Sequence, residues 1–173
     1  MCISFEIVLV LAMTFSSSIL KGTFPIWPLE WQIRVSFEVL FAASKTFIGI
    51  VHFTNIDGFG YGDRLPSIMY RTTTSEIEIT WENNANDESA YARHYHTIER
   101  NVIHHLKIAH VKRLDKYKLE VYLNTRKIFS QDSPAPRVWN DVRYYTGTAY
   151  GSNYDAENSI RIDDYVAYGM PDT

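Results

Sequence analysis

The chain has 173 residues, 46% of them hydrophobic and 21% charged, and a formal net charge of −3. That length and composition suit one globular domain whose core holds without covalent staples, and they exclude a disordered chain. The weak acidic balance gives no case for nucleic acid or an anionic membrane as partner.

Residues 1–18 carry the apolar run Ile7-Val8-Leu9-Val10-Leu11-Ala12-Met13-Thr14-Phe15 and then Ser16-Ser17-Ser18. An apolar stretch followed by small residues reads as a secretory signal peptide, although no Lys or Arg precedes it and Glu6 does. No later stretch approaches the roughly 18 apolar residues of a membrane-spanning helix. The mature chain is therefore expected to be soluble, secreted and extracellular. Its only cysteine, Cys2, falls inside the leader, so no disulfide is expected, and no Asn-x-Ser/Thr sequon occurs.

Residues 19–30, with Lys21-Gly22-Thr23, Pro25 and Pro28, read as an N-terminal linker, and 31–173 as a single domain. From Trp31 to Phe41 the sequence alternates, with Trp31, Ile33, Val35, Phe37, Val39 and Phe41 on one side and Gln32, Arg34, Ser36 and Glu38 on the other. A period of two over that length specifies a strand with one face on the core. Shorter runs follow at 46–54, 66–71, 77–81, 102–111, 117–123, 127–130, 138–145 and 160–168. Gly, Asn, Asp and Pro punctuate them, and Asn124-Thr125 marks the best hairpin. About nine short strands with no ten-residue helix predict an all-β fold, an antiparallel two-sheet sandwich.

The Trp-led strand, then Ile50-Val51-His52-Phe53-Thr54, Tyr61-Gly62-Asp63-Arg64-Leu65-Pro66-Ser67-Ile68, Lys116 to Tyr122 and Pro136 to Tyr145, resembles secreted concanavalin A-like lectin and glucanase jelly-roll domains. The resemblance is to the forms found in cnidarians and in coral skeletal organic matrix, and it covers residues 31–168. It implies a jelly roll, and extracellular glycans or matrix proteins as partners. A looser similarity links His52, Asn55, Arg64, Trp81 and Glu82 to the galectin sugar site, in which such residues hold a galactoside against a stacking Trp. These five residues are the candidate carbohydrate-binding set, with Trp81 also in phase with Ile77 and Ile79 as a core residue would be.

Other constellations are weaker. His94-x-His96 puts two imidazoles on one strand face, and His104 or His105 would have to complete a zinc or copper site. Asp57, Asp63, Asp87, Glu88, Asp155, Glu157, Asp163 and Asp164 lie in or near loops, which leaves room for weak calcium contact but supplies no dedicated calcium loop. The late tyrosines, Tyr144, Tyr145, Tyr150, Tyr154, Tyr165 and Tyr168, suit strand packing as well as a sticky surface. Retaining jelly-roll glycosidases need two carboxylates about 5 Å apart. Glu76 and Glu78 share a face but read as the solvated side of a strand. The sequence thus predicts no catalytic residues and no required cofactor. It points to a non-enzymatic lectin-like or matrix-binding protein, with a galactoside lectin and a jelly-roll glycosidase as alternatives.

Overall fold

The computed structural model describes residues 13–14, 19–40, 46–56, 62–82, 91–134, 136–147, 160–162 and 167–169. These contain β1 (Met13–Thr14), β2 (Ile19–Trp27), β3 (Trp31–Val39), β4 (Phe47–Thr54), β5 (Ser67–Arg71), β6 (Glu76–Glu82) and β7 (Tyr91–Thr97). There follow β8 (Ile103–Arg113), β9 (Lys116–Leu123), β10 (Arg126–Asp132), β11 (Trp139–Thr146), β12 (Ile160–Ile162) and β13 (Ala167–Gly169). No helix occurs among the described residues.

Alternation in β3 shows how sequence becomes architecture. Ile33, Val35, Phe37 and Val39 are fully or almost fully buried, while Arg34, Ser36 and Glu38 between them are partly exposed. The strand lies in a sheet ordered β1-β12-β3-β8-β9-β10, with β13 also paired to β3. A second sheet runs β2-β11-β4-β5-β6-β7. All pairings are antiparallel.

The core lies between the two sheets. One wall is Ile33, Val35, Phe37, Leu106, Ile108, Leu119 and Val121, and the other includes Ile48, Phe53, Ile68, Tyr70, Ile77 and Ile79. Each fully buried side chain of this size contributes roughly 1.5–3 kcal/mol relative to exposure. Aromatic contacts tie the second sheet's early strands together: Phe24 to Trp27 at 5.3 Å, Trp27 to Phe53 at 4.9 Å and Phe53 to Tyr144 at 5.6 Å between ring centroids. The expected all-β sandwich is the observed fold.

Several details differ from the sequence reading. The segment read as a linker, 19–30, is strand β2 over its first nine residues, paired along β11 from Trp139↔Trp27 to Thr146↔Ile19. Pro25 made it look irregular, but β2 is an edge strand, where proline is tolerated. Strand β7 is missing from the runs read by alternation, because Tyr91-Ala92-Arg93-His94-Tyr95-His96-Thr97 holds no alternation of apolar residues, and only the His94-x-His96 spacing treated the segment as a strand. The single run expected at 160–168 is two short strands, β12 and β13, both paired to β3. The leader expected at 1–18 lies outside the described residues apart from Met13–Thr14, which pair with Ile162 and Arg161.

Candidate functional site

Four of the five residues singled out from the sequence do come together, around the segment between β4 and β5. His52, at the end of β4, is fully buried, and its Nε2–H donates to the Asp63 carbonyl and lies 3.5 Å from the Asp63 carboxylate. Arg64 pairs with the same carboxylate at 3.3 Å. Its backbone N–H donates to Glu82 Oε1 at 3.3 Å, while the Glu82 N–H donates to the Arg64 carbonyl at 2.9 Å. The Asn55 N–H donates to the Gly62 carbonyl at 3.0 Å. His52, Asn55, Arg64 and Glu82 thus hold residues 62–64, ahead of β5, against the ends of β4 and β6.

Glu82 shows what this arrangement costs. Desolvation pushes its carboxyl up from the ordinary carboxylate range to about 7, against the pull of backbone N–H groups at Arg64 and Gly62 and the Arg64 charge.

Trp81 is placed differently. Successive positions of a strand alternate in face, so Trp81 goes to the core with Ile77 and Ile79 while Glu82 lies on the other side. It is 3% exposed and packs on Phe129 at 5.5 Å. Of the two roles the sequence offered Trp81, the core residue in phase with Ile77 and Ile79 is the observed one, and its place as a stacking platform in the candidate sugar site is corrected. The cleft beside it is lined by all four tryptophans of the chain, Trp27, Trp31, Trp81 and Trp139, together with Arg64 and Glu82, and measures about 40 Å³. A cleft of that volume is too small to enclose a sugar ring, since ligand sites run to roughly 300 Å³ or more.

A second polar cluster, absent from the sequence reading, lies on the outer face of β5, β6 and β7. Register places Met69, Glu78 and Tyr95 in one row and Ser67, Thr80 and Arg93 in the next. Glu78 sits between Arg71 at 3.9 Å and Arg93 at 3.5 Å. The Arg71 guanidinium lies between two rings, 5.0 Å from Phe47 and 4.9 Å from Tyr95, and Arg93 donates to the Tyr95 hydroxyl at 3.4 Å. Cation–π stacking and ion pairing hold these planar donors in place on a partly exposed face. Glu78 itself is 7% exposed. Glu76 and Glu78 share the outer face, as expected, but Glu78 is enclosed between two arginines instead of being solvated. The missing signal was β7: without it, Arg93 and Tyr95 have no place beside Glu78.

The histidines do not converge. His94 and His96 stack at 6.2 Å, and His94 packs on Phe129 at 4.4 Å. His104 and His105 belong to β8 in the other sheet, where the His104 Nε2–H donates to the Glu99 carbonyl. Among the described residues no three His, Cys, Asp or Glu side chains gather to hold a metal ion. Of the acidic loop residues, Asp63 is ion-paired, and Asp57, Asp87, Glu88, Asp155, Glu157, Asp163 and Asp164 lie outside the described residues.

No protein-family model matches the sequence, and a search of curated proteins finds no match. Solved structures do resemble the fold. An endo-β-1,4-glucuronan lyase from the fungus Trichoderma reesei superposes with a TM-score of 0.60 at 13% identity, covering 89% of this chain and 74% of that one. A Trypanosoma rangeli sialidase gives 0.58 at 10% identity over 83% of this chain, which spans only 21% of the sialidase. The carbohydrate-binding module of a Ruminococcus gnavus sialidase, bound to α2,3-sialyllactose, gives 0.52 at 8% identity, covering 82% and 74%. The chain is an antiparallel two-sheet jelly roll of the concanavalin A-like kind.

Proposed function

We propose that this chain is a non-enzymatic glycan-binding module that acts outside the cell, as a lectin-like or matrix-binding protein. The observation that carries this reading is the Arg71–Glu78–Arg93 cluster on the outer face of β5–β7, with Tyr95 beside it. A saccharide needs fixed hydrogen-bonding groups and an aromatic surface for its C–H face. The two guanidiniums supply the first, and the Tyr95 ring supplies the second on the face that Arg71 does not cover, without a metal or other cofactor. The named ligands and substrates of the structural neighbours, glucuronan and α2,3-sialyllactose, support a saccharide partner. The apolar leader supports secretion. The enclosure of Glu78 between two arginines supports binding in preference to glycoside cleavage, because a retaining hydrolase needs a second carboxylate about 5 Å from the first and poised for attack.

A glycan array tests the reading. Reproducible binding that Arg71→Ala and Tyr95→Ala both abolish, with the variants still folded, is the expected result. A blank array with wild-type protein would leave only the matrix role standing. Turnover of a β-glucan that vanished in Glu76→Gln would overturn the non-enzymatic part.

A further inference from the structure

The chain's net charge of −3 conceals a strong polarity. Residues 103–132, which form β8, β9 and β10, hold seven basic and three acidic residues, a formal charge of +4. Strand register gathers part of this charge on the outer face of the first sheet. Arg34, Lys107, Tyr122 and Lys127 are partners in turn across β3, β8, β9 and β10. With strands about 4.8 Å apart, the row spans roughly 14 Å.

Among the described residues of β8–β10 the carboxylates are outnumbered. Glu120 accepts from Lys127 at 2.7 Å, Arg113 at 3.1 Å and the Tyr122 hydroxyl at 2.9 Å. Asp132 accepts from Lys118 at 2.7 Å and Lys116 at 3.0 Å. Two cations bracket each carboxylate, so the pairs themselves leave the surface positive. Although desolvation raises it, the three donors together hold the Glu120 carboxyl down to about 2, so the bracket persists across the physiological pH range.

Beside these pairs lies a hollow of about 490 Å³, lined by Arg34, Ser36, His105, Lys107, Tyr122 and Thr125 together with parts of Val35 and Leu106. That volume is within the range of ligand sites, and no acidic side chain is among its described lining residues. Ser36 Oγ and His105 Nδ1 lie 2.7 Å apart, which orients the ring. The Lys107 ammonium sits 4.4 Å from the centroid of the Tyr122 ring.

We propose that this hollow is a second binding site, on the sheet opposite the Arg71–Glu78–Arg93 cluster, and that it takes an acidic saccharide chain whose carboxylate or sulfate groups Arg34 and Lys107 hold. Ser36, His105 and Thr125 meet the neutral hydroxyls. A guanidinium offers two parallel donors to a carboxylate or sulfate and an ammonium offers a point charge, so the pair suits a planar or tetrahedral anion. A nucleic-acid strand is the poorer fit. It needs aromatic faces for its bases, and of the two aromatic rings among the described lining residues Tyr122 already carries the Lys107 and Lys127 ammoniums while His105 is held by Ser36.

Calorimetric titration of the full chain decides it, using a polyuronate oligosaccharide, a sulfated oligosaccharide, a neutral glucan of equal length and single-stranded DNA of equal charge. At least one acidic saccharide should bind, and which one separates carboxylate from sulfate recognition. Arg34→Ala and Lys107→Gln should each weaken it about tenfold or more, the loss of a charge-assisted hydrogen bond. Lys107→Arg should keep binding, which separates loss of the charge from loss of the fold. The pair Lys116→Ala/Lys118→Ala should leave affinity near wild type. The proposal falls if no acidic saccharide binds, if the neutral glucan binds as well, or if DNA binds more tightly. It falls equally if Lys116→Ala/Lys118→Ala costs as much as Arg34→Ala, which would make the effect a diffuse field. Loss of binding in Arg71→Ala would place the ligand on the other sheet, leaving the glycan reading intact and removing this one.

Discussion

Glu82 and Gly62 show how the short segment between β4 and β5 is held. The raised Glu82 carboxyl, at about 7, means that the folded chain keeps this proton when the unfolded chain, near 4.5, has released it. Its contribution to stability is therefore complete below about pH 4.5 and is lost as the pH rises toward 7. Denaturant titrations at a series of pH values should show Glu82→Gln flattening the decline in stability across that window. Gly62 is fixed by geometry. Its φ is +94°, and a Cβ there would stand 2.0 Å from Asn55 Oδ1 and 3.0 Å from the Trp139 ring. Gly62→Ala should cost about 2–3 kcal/mol in chemical denaturation, from backbone strain and overpacking together. Adding Asn55→Ala should recover only the steric part of that loss, because the left-handed backbone remains.

Among the elements, the β9–β10 hairpin carries the clearest local rule. Asn124 and Thr125 both adopt positive φ, 48° and 72°, as a two-residue type I′ turn demands. The Asn124 carboxamide also accepts from the His105 N–H at 2.9 Å, tying the turn to β8. Asparagine suits its position, whereas a β-branched threonine is strained in this region. Relief of that strain, about 1–2 kcal/mol, outweighs the roughly 0.5–1 kcal/mol of chain entropy that glycine loses. Thr125→Gly should thus raise stability by about 0.5–1 kcal/mol, read as a higher denaturation midpoint at unchanged slope. Strand β7 teaches the opposite lesson: its polar outer residues and its two inward histidines conceal a strand that register with β6 makes plain.

For the whole molecule, the sandwich gives each sheet a polar outer face and separates the two by one shared core. The alternation in β3, the turn residues and the absence of any helical stripe determined by themselves that the chain is an all-β sandwich, because a period of two fits extended backbone with one buried face and no helix. The clustering of His52, Asn55, Arg64 and Glu82 was also legible, since the residues flank one short stretch of chain and the end of a neighbouring strand. Only the tertiary structure decided what that cluster is. It enclosed His52 against Asp63, and it chose between the two roles open to Trp81 by packing the indole on Phe129 of the other sheet. It alone assembled Arg71, Glu78 and Arg93 from three strands, and Arg34, Lys107 and Tyr122 from three others. Cross-strand neighbours are fixed by register, and register depends on partners distant in sequence.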